Sequence, residues 1–450
     1  MGSLLIGISL VIVVTFLSYL ATIARAFFRR LPDQPGDAEA FEWHMFVPCR
    51  DEDVVIGATI DRLRATFAGA HVWVIDDDSD DATADVVRSR AATDPMVHLV
   101  QRRRPHARTG KGDALNSAYH RLNAFLPAGC DRTRVIVCVV DADGQMAGDA
   151  LDHVAGTKVF GDPRVGAAQI SVQMRNRDDH RPRPSKGRAA NALSRYLVRM
   201  QDIEFRTSIC AMQALRTQTR SVGLGGNGQF TRLTVLDAIA TQAGRPWHGA
   251  LLEDFELGVH VLLTGHEIRF VADSYVSQEG LTDLKRLFTQ RTRWSQGNIQ
   301  CIKYLPQIVR SPHFTSGGVL ESGYYLMLPF IQMLGLFLWP TLAVLTVSGT
   351  LQVPGGVVNW LASSWWLLAL FFLMSVAPFA MWGPIYRATC EPRATRWQSI
   401  LWGLGLWLYI YYMYVSVTRA FVRIALRRGG WAKTRRNGEN LTVGATAKEA

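Results

Sequence analysis

The chain has 450 residues, a formal net charge of +11, 48% hydrophobic residues and six cysteines. That length admits two or three domains and a sizeable core, and the basic excess leaves nucleic acid or anionic lipid headgroups as partners to weigh. The cysteines, at 49, 130, 138, 210, 301 and 390, show no paired spacing, which argues against a zinc module or a disulfide framework.

Leu4 to Ala24 runs 21 residues without a charge, long enough to cross a hydrocarbon core of ~30 Å. No basic residue precedes the run and it is too long for an ordinary signal core, so it reads as an uncleaved anchor over 1–30. Arg25, Arg29 and Arg30 follow, which puts residue 30 onward on the cytoplasmic side by the positive-inside rule. Residues 31–42 read as a linker.

Strand and helix then alternate. Trp43–Pro48 is a strand ending in Arg50-Asp51-Glu52, and Val54–Phe67 has helical spacing. His71–Ile75 is a strand ending in Asp76-Asp77-Asp78, followed by a helix to about Ala92 and a strand over Val97–Gln101. A basic loop, Arg102 to Asp113, leads into a helix through Phe125. Val135 to Val140 is apolar throughout, as expected of a strand buried on both faces of a parallel sheet, and Asp141, Asp143 and Gly144 follow it. The pattern predicts a doubly wound, mostly parallel α/β sheet.

Strand after strand ends in acids. In such sheets ligands bind beyond the carboxyl ends of the strands. Asp141 and Asp143 are hard oxygen ligands spaced to share Mg²⁺ or Mn²⁺ with substrate phosphates. Asp76 and Asp77 can accept hydrogen bonds from a nucleobase or ribose, and Lys111 can meet phosphate charge near a helix N-terminus. Taken singly, each reading competes with a plainer one: solvated aspartates, an acidic turn with helix caps, a surface lysine.

The ordered set VPCRDED (47–53), VIDDDSDDAT (74–83), KGDALN (111–116), DAD (141–143), LEDFELG (252–258), QRTRW (290–294) and WAKTRR (431–436) resembles a family 2 glycosyltransferase of GT-A fold. More closely, it resembles the membrane-embedded processive synthases of the cellulose, chitin and hyaluronan type. The resemblance implies a nucleotide-sugar donor, UDP-glucose or UDP-N-acetylglucosamine, and inversion at the anomeric carbon. It assigns the donor to Asp76, Asp77, Lys111, Asp141, Asp143, Gln290, Arg293 and Trp294, and the divalent metal to Asp141 and Asp143. Asp254 matches the general base. The acceptor end falls to Trp294, Glu253, Gly226, Asn227 and Gly228, the last three lying in a glycine-rich loop that also reads as a tight turn. That loop departs from the serine- and cysteine-containing versions of cellulose and chitin synthases, which leaves acceptor and linkage open. Arg175 to Arg188 reads as a mobile solvated loop, with a lipid or polymer contact as the alternative.

The organisation expected is an anchor (1–30), a cytoplasmic GT-A domain with an interfacial Q-x-x-R-W helix (31–318), about three C-terminal membrane helices (319–426) and a basic tail (427–450). Apolar segments fall near 324–347, 360–382 and 400–422, with Pro329, Pro340 and Pro378 as kinks or breaks. The charges conflict with simple counting. Arg387, Arg393 and Arg396 belong inside, so a full third crossing would place Arg427 to Arg436 outside, against the positive-inside rule. One segment is therefore re-entrant or interfacial, or the tail is external.

The expected activity is inverting, processive extension of a β-linked polysaccharide with export across the cell membrane. The alternative is a non-processive enzyme glycosylating a membrane lipid. A scaffold with a degenerate sugar-binding domain conflicts with the intact acids. Nucleic acid is disfavoured, because much of the basic excess flanks apolar segments and no recognition module is present.

Overall fold

The computed structural model describes residues 2–352 and 356–428, so the WAKTRR stretch and most of the basic tail lie outside the described residues. In chain order the strands are β1 (Glu42–Cys49), β2 (His71–Asp77), β3 (Val97–Arg102), β4 (Val135–Val139), β5 (Gln145–Met146), β6 (Val165–Met174), β7 (Gln229–Arg232) and β8 (Glu267–Gln278). They form one sheet in the order β3-β2-β1-β4-β7-β6-β8-β5. The first four strands are mutually parallel. β7 runs antiparallel to β4 and β6, β6 and β8 are parallel, and β5 closes the edge antiparallel to β8. This is a GT-A, Rossmann-like mixed sheet, and the alternation over residues 43–140 foresees its parallel half.

The helices of this domain are α1 (Gly2–Phe28), α2 (Asp53–Thr66), α3 (Thr83–Ala91), α4 (Lys111–Phe125), α5 (Ala150–Ala155), α6 (Arg188–Ile203), α7 (Cys210–Thr219), α8 (Leu233–Ala243), α9 (Glu253–Leu263), α10 (Leu284–Cys301) and α11 (Leu305–Arg310). Successive side chains of a strand point to opposite faces, and here both faces are covered. Phe46, Trp73, Ile75, Val135, Val137 and Val139 pack with α4, α8 and α9. Met45, Val47, Val72, Val74, Ile136 and Cys138 pack on the other side with α2, α3 and α5. Double burial is why these strands carry no polar alternation.

The C-terminal region comprises α12 (Ser316–Leu351), α13 (Gly356–Phe371), α14 (Ala377–Ala380), α15 (Trp382–Thr389), α16 (Arg396–Tyr409) and α17 (Tyr412–Ala425). Among the described residues four stretches are long and apolar enough to cross a membrane: Leu4–Phe28, Ser316–Thr350, Ala369–Thr389 and Arg396–Ala425. Pro329 and Pro340 lie inside the single helix α12, whereas Pro378 opens α14 just after a π-helical turn at Phe372–Val376.

The last apolar stretch lies along the α/β domain. The Tyr196 hydroxyl donates to Gly405 O at 2.8 Å, Tyr412 to Glu204 Oε1 at 2.6 Å, and Arg423 Nε to Gln296 Oε1 at 2.8 Å. Where α17 meets α12, Met413 reaches Gln332 and Phe421 reaches Phe330.

Candidate functional site

A cleft opens beyond the carboxyl ends of β1, β2 and β4. Among its lining residues are Asp77, Lys111, Asp141, Gly226, Asn227, Glu253, Asp254, Gln290, Arg293 and Trp294. Residues separated by more than two hundred positions in sequence therefore meet in one place.

Lys111 opens α4 after Gly110 and sends Nζ to Asp141 Oδ1 at 2.8 Å, with Glu253 Oε1 at 3.7 Å. Burial works against the charge on Lys111, but Asp141, Glu253 and Asp254 together outweigh it and hold the ammonium above the usual lysine range. Glu253 and Asp254 sit in the first turn of α9, where Asp254 Oδ1 accepts from Phe255 N at 2.7 Å. Burial and the neighbouring Glu253 push the Asp254 carboxyl up to about 7, against the pull of Lys111.

Gly226 lies against this carboxylate. Its φ is +80°, and a Cβ there would come within 2.8 Å of Asp254 Oδ2. Asn227 ties the glycine loop to the strand end, its Oδ1 accepting from Asp141 N at 3.1 Å and its Nδ2 donating to Gln278 at 3.2 Å. Gly228 faces away from the cleft: its Cβ position meets Ile170 and Val276, so it serves the sheet and not an acceptor.

The acids after β2 divide. Asp77 lines the cleft and is paired with Arg102, with Arg108 N donating to its Oδ1 at 3.0 Å. Asp76, fully buried, is not among the cleft-lining residues; its Oδ1 accepts from Ser79 N at 3.0 Å and stabilises the turn. Adjacent strand residues cannot both face one side. The basic loop clasps this acidic turn, with Arg104 Nε 2.8 Å from Asp78 and Arg108 Nη2 2.6 Å from Asp80.

Asp141 and Asp143, two residues apart after β4, differ in their partners. Asp141 faces Lys111, whereas Asp143 is buried toward β8, its Oδ2 accepting from Glu279 N at 3.2 Å. No group of three or more His, Cys, Asp or Glu residues poised for a metal occurs among the described residues. Two hard carboxylates alone fit a divalent ion that completes its shell with water and phosphate oxygens, the usual manner of Mg²⁺.

α10 presents Gln290, Arg293 and Trp294 to the cleft and is braced against the loop before Asp254. Leu251 N donates to Gln300 Oε1 at 2.8 Å, and a Cβ on Gly297 would lie 2.5 Å from Leu252 N. Glu256, also fully buried, accepts from Ala250 N at 2.8 Å and from the Tyr304 hydroxyl at 2.7 Å. Phe205, Gln278 and Glu279 line the cleft as well. Sequence reasoning missed them, and the only signal for the last two is their position at a strand end. Arg175–Arg188 is largely exposed, as expected of a solvated loop, and is anchored at three points: Arg175 donates to Asp143 O at 3.3 Å, Arg177 pairs with Glu391 at 3.2 Å and Arg183 with Asp283 at 3.3 Å.

Residues 43–297 match the family model described as glycosyltransferase like family 2. The chain is 24% identical over 343 residues to "Probable glycosyltransferase YdaM" of Bacillus subtilis, covering 74% of this chain and 72% of that one. It is 26% identical over 418 residues to the beta-monoglucosyldiacylglycerol synthase of Synechocystis, covering 89% and 76% respectively. Among solved structures, a mannosyltransferase from Pyrobaculum calidifontis in complex with GDP-Man and Mn²⁺ superposes with a TM-score of 0.58 at 17% identity, over 95% of this chain and 99% of that one, a likeness of fold. With more than half its length matched and a cleft that gathers the acids, lysine and aromatics of the sequence motifs, the chain belongs to glycosyltransferase family 2 and is a glycosyltransferase.

Proposed function

We propose that this enzyme transfers one hexosyl residue from a nucleotide sugar, with inversion, to a hydroxyl group of a membrane lipid. The observation that carries the reading is the seating of Asp254, a carboxyl pushed up to about 7, between Lys111 and Gly226 in a cleft walled by Phe205 and Trp294. A base of that affinity takes a proton from an attacking hydroxyl near neutral pH. Lys111, Arg293 and Gln290 bind the diphosphate, Asp77 the nucleoside, and Trp294 offers its face to a sugar or glyceryl group. A divalent ion held by Asp141 and Asp143 would offset the charge that develops on the leaving diphosphate.

The lipid acceptor is favoured over a growing polysaccharide by the Synechocystis relative, whose name is that of a glucosyldiacylglycerol synthase and whose match covers 89% of this chain. The packing of α16 and α17 along the α/β domain supports an interfacial placement for them. An interfacial α16–α17 is in keeping with the positive-inside rule for the arginines at 427 and 428. The Q-x-x-R-W helix keeps polymer synthesis as the second reading.

The test is incorporation of label from radioactive UDP-glucose, UDP-N-acetylglucosamine and GDP-mannose by purified protein in vesicles containing diacylglycerol, with Mg²⁺ or Mn²⁺, beside Asp254→Asn. Label in the organic extract from one donor, lost in the variant, supports the reading. High-mass aqueous product replaces it with polysaccharide synthesis.

A further inference from the structure

Arg291, between the two recognised ends of the Q-x-x-R-W motif, points away from the cleft and is almost completely buried, as is Glu204. The two form an ion pair. Arg291 Cζ stands 4.3 Å from the centre of the Trp294 ring and 5.7 Å from that of Phe205. Trp294 and Phe205, both cleft residues, meet edge to face at 6.2 Å between centroids. Each aromatic is thus close in sequence to one member of the pair: Phe205 follows Glu204 directly, and Trp294 lies one helical turn beyond Arg291.

The pair is bound into the C-terminal helices. The Tyr412 hydroxyl donates to Glu204 Oε1 at 2.6 Å, the Tyr409 hydroxyl donates to Glu204 Oε2 at 3.1 Å, and the Arg291 guanidinium stands 5.1 Å from the Tyr412 ring. Glu204 opens a π-helical turn, Glu204–Ile209, between α6 and α7. Such turns are an uncommon way to re-aim side chains within a helix and frequently occur at functional sites. A planar guanidinium can stack on one ring while its edge hydrogen bonds elsewhere, which a lysine ammonium cannot do.

We infer that Arg291 is a positioning residue: paired with Glu204 and held by Tyr409 and Tyr412, it fixes Trp294 and Phe205 as the two aromatic walls of the acceptor seat. The inference rests on the cleft being the transfer site described above, and it makes the docking of α16 and α17 a condition for a formed acceptor seat. It does not require Arg291 to touch substrate.

The test uses the full chain labelled with 5-fluorotryptophan in phosphatidylcholine nanodiscs, the Trp294 fluorine resonance being assigned by its loss in Trp294→Phe. Arg291→Lys and Glu204→Gln are expected to shift or broaden that resonance, with Tyr412→Phe giving a smaller change. With UDP-glucose and dioleoylglycerol, Arg291→Lys should raise the KM for the lipid by roughly tenfold or more while leaving nucleotide-sugar binding unchanged, since a misplaced seat penalises only what sits on it. A Trp294 resonance unmoved in Arg291→Lys, or equal losses in donor and acceptor affinity, overturns the proposal. If Arg291→Lys fails to accumulate, Tyr409→Phe and Tyr412→Phe, each removing one hydroxyl, carry the same readouts. A moved resonance in a protein that transfers nothing to diacylglycerol refutes the lipid reading and upholds the positioning role.

Discussion

Lys111 Nζ and Asp141 Oδ1 are 2.8 Å apart at the centre of the cleft, joining the first turn of α4 to the end of β4. The lysine answers three carboxylates at once, since Asp141, Glu253 and Asp254 all act on its charge. Removing it should therefore have two effects. Lys111→Met is expected to weaken nucleotide-sugar binding by roughly tenfold or more, read by calorimetry, because a charge-assisted contact to phosphate is lost. It should also move the pH limb of the residual activity upward, because Asp254 loses the cation that holds its affinity down.

Asp254 gives a direct pH prediction. A base must be deprotonated to act, so kcat/KM should rise with pH through a midpoint near 7 and flatten above it. A flat profile between pH 6 and 8 would remove Asp254 from the role.

Asp254→Asn should lower kcat by roughly 10²–10⁴ while nucleotide-sugar binding persists. The same change should stabilise the fold at high pH. The folded-state affinity is raised from the ordinary 3.8 to about 7, so the native protein binds the extra proton and loses stability as pH rises through that window. The variant, with nothing to ionise there, is expected to show a higher Tm than wild type at pH 8 and a smaller difference at pH 5.

Gly226→Ala places a methyl 2.8 Å from Asp254 Oδ2 on a backbone with φ of +80°. Displacing that carboxylate should cut turnover severely, while circular dichroism shows a folded domain. Gly249→Ala, with open space at its Cβ, is the matched control and should have little effect.

Far from the cleft, His44, His71 and His98 stack across β1, β2 and β3, with His71 Nδ1 2.9 Å from His98 Nε2. Burial, with the neighbouring histidines adding to it, drives His71 down to about 4. The unfolded chain binds that proton near 6.5, so stability is full above 6.5 and declines as pH falls toward 4. The His71 contribution is lost as pH falls from 7 to 5, so the Tm of His71→Phe relative to wild type should rise over that interval; an unchanged difference would argue against the stack as its source.

Much of the catalytic half is legible in the sequence because its signals are local. The valine run at 135–140 predicts a strand buried on both faces, and acids that end successive strands mark where a ligand must sit. Other features depend on direction, which spelling does not carry. Asp76 and Asp77 are the same residue type side by side and both buried, yet the pleat turns one to the Ser79 turn and the other to the cleft. The run at 396–425 has the hydropathy of a crossing helix, but Tyr409, Tyr412 and Arg423 bind it along the α/β domain.

By itself, then, the sequence determined the alternating α/β framework, the acids and lysine of the cleft and the apolar helices, since hydrophobic period and strand-end chemistry act over a few neighbouring residues. Only the tertiary structure decided that Arg291 turns inward to Glu204 while Gln290, Arg293 and Trp294 turn to the cleft, and that Phe205 joins them. Those choices arise from side chains brought together across long stretches of chain, where burial and pairing select one orientation among several that local pattern allows.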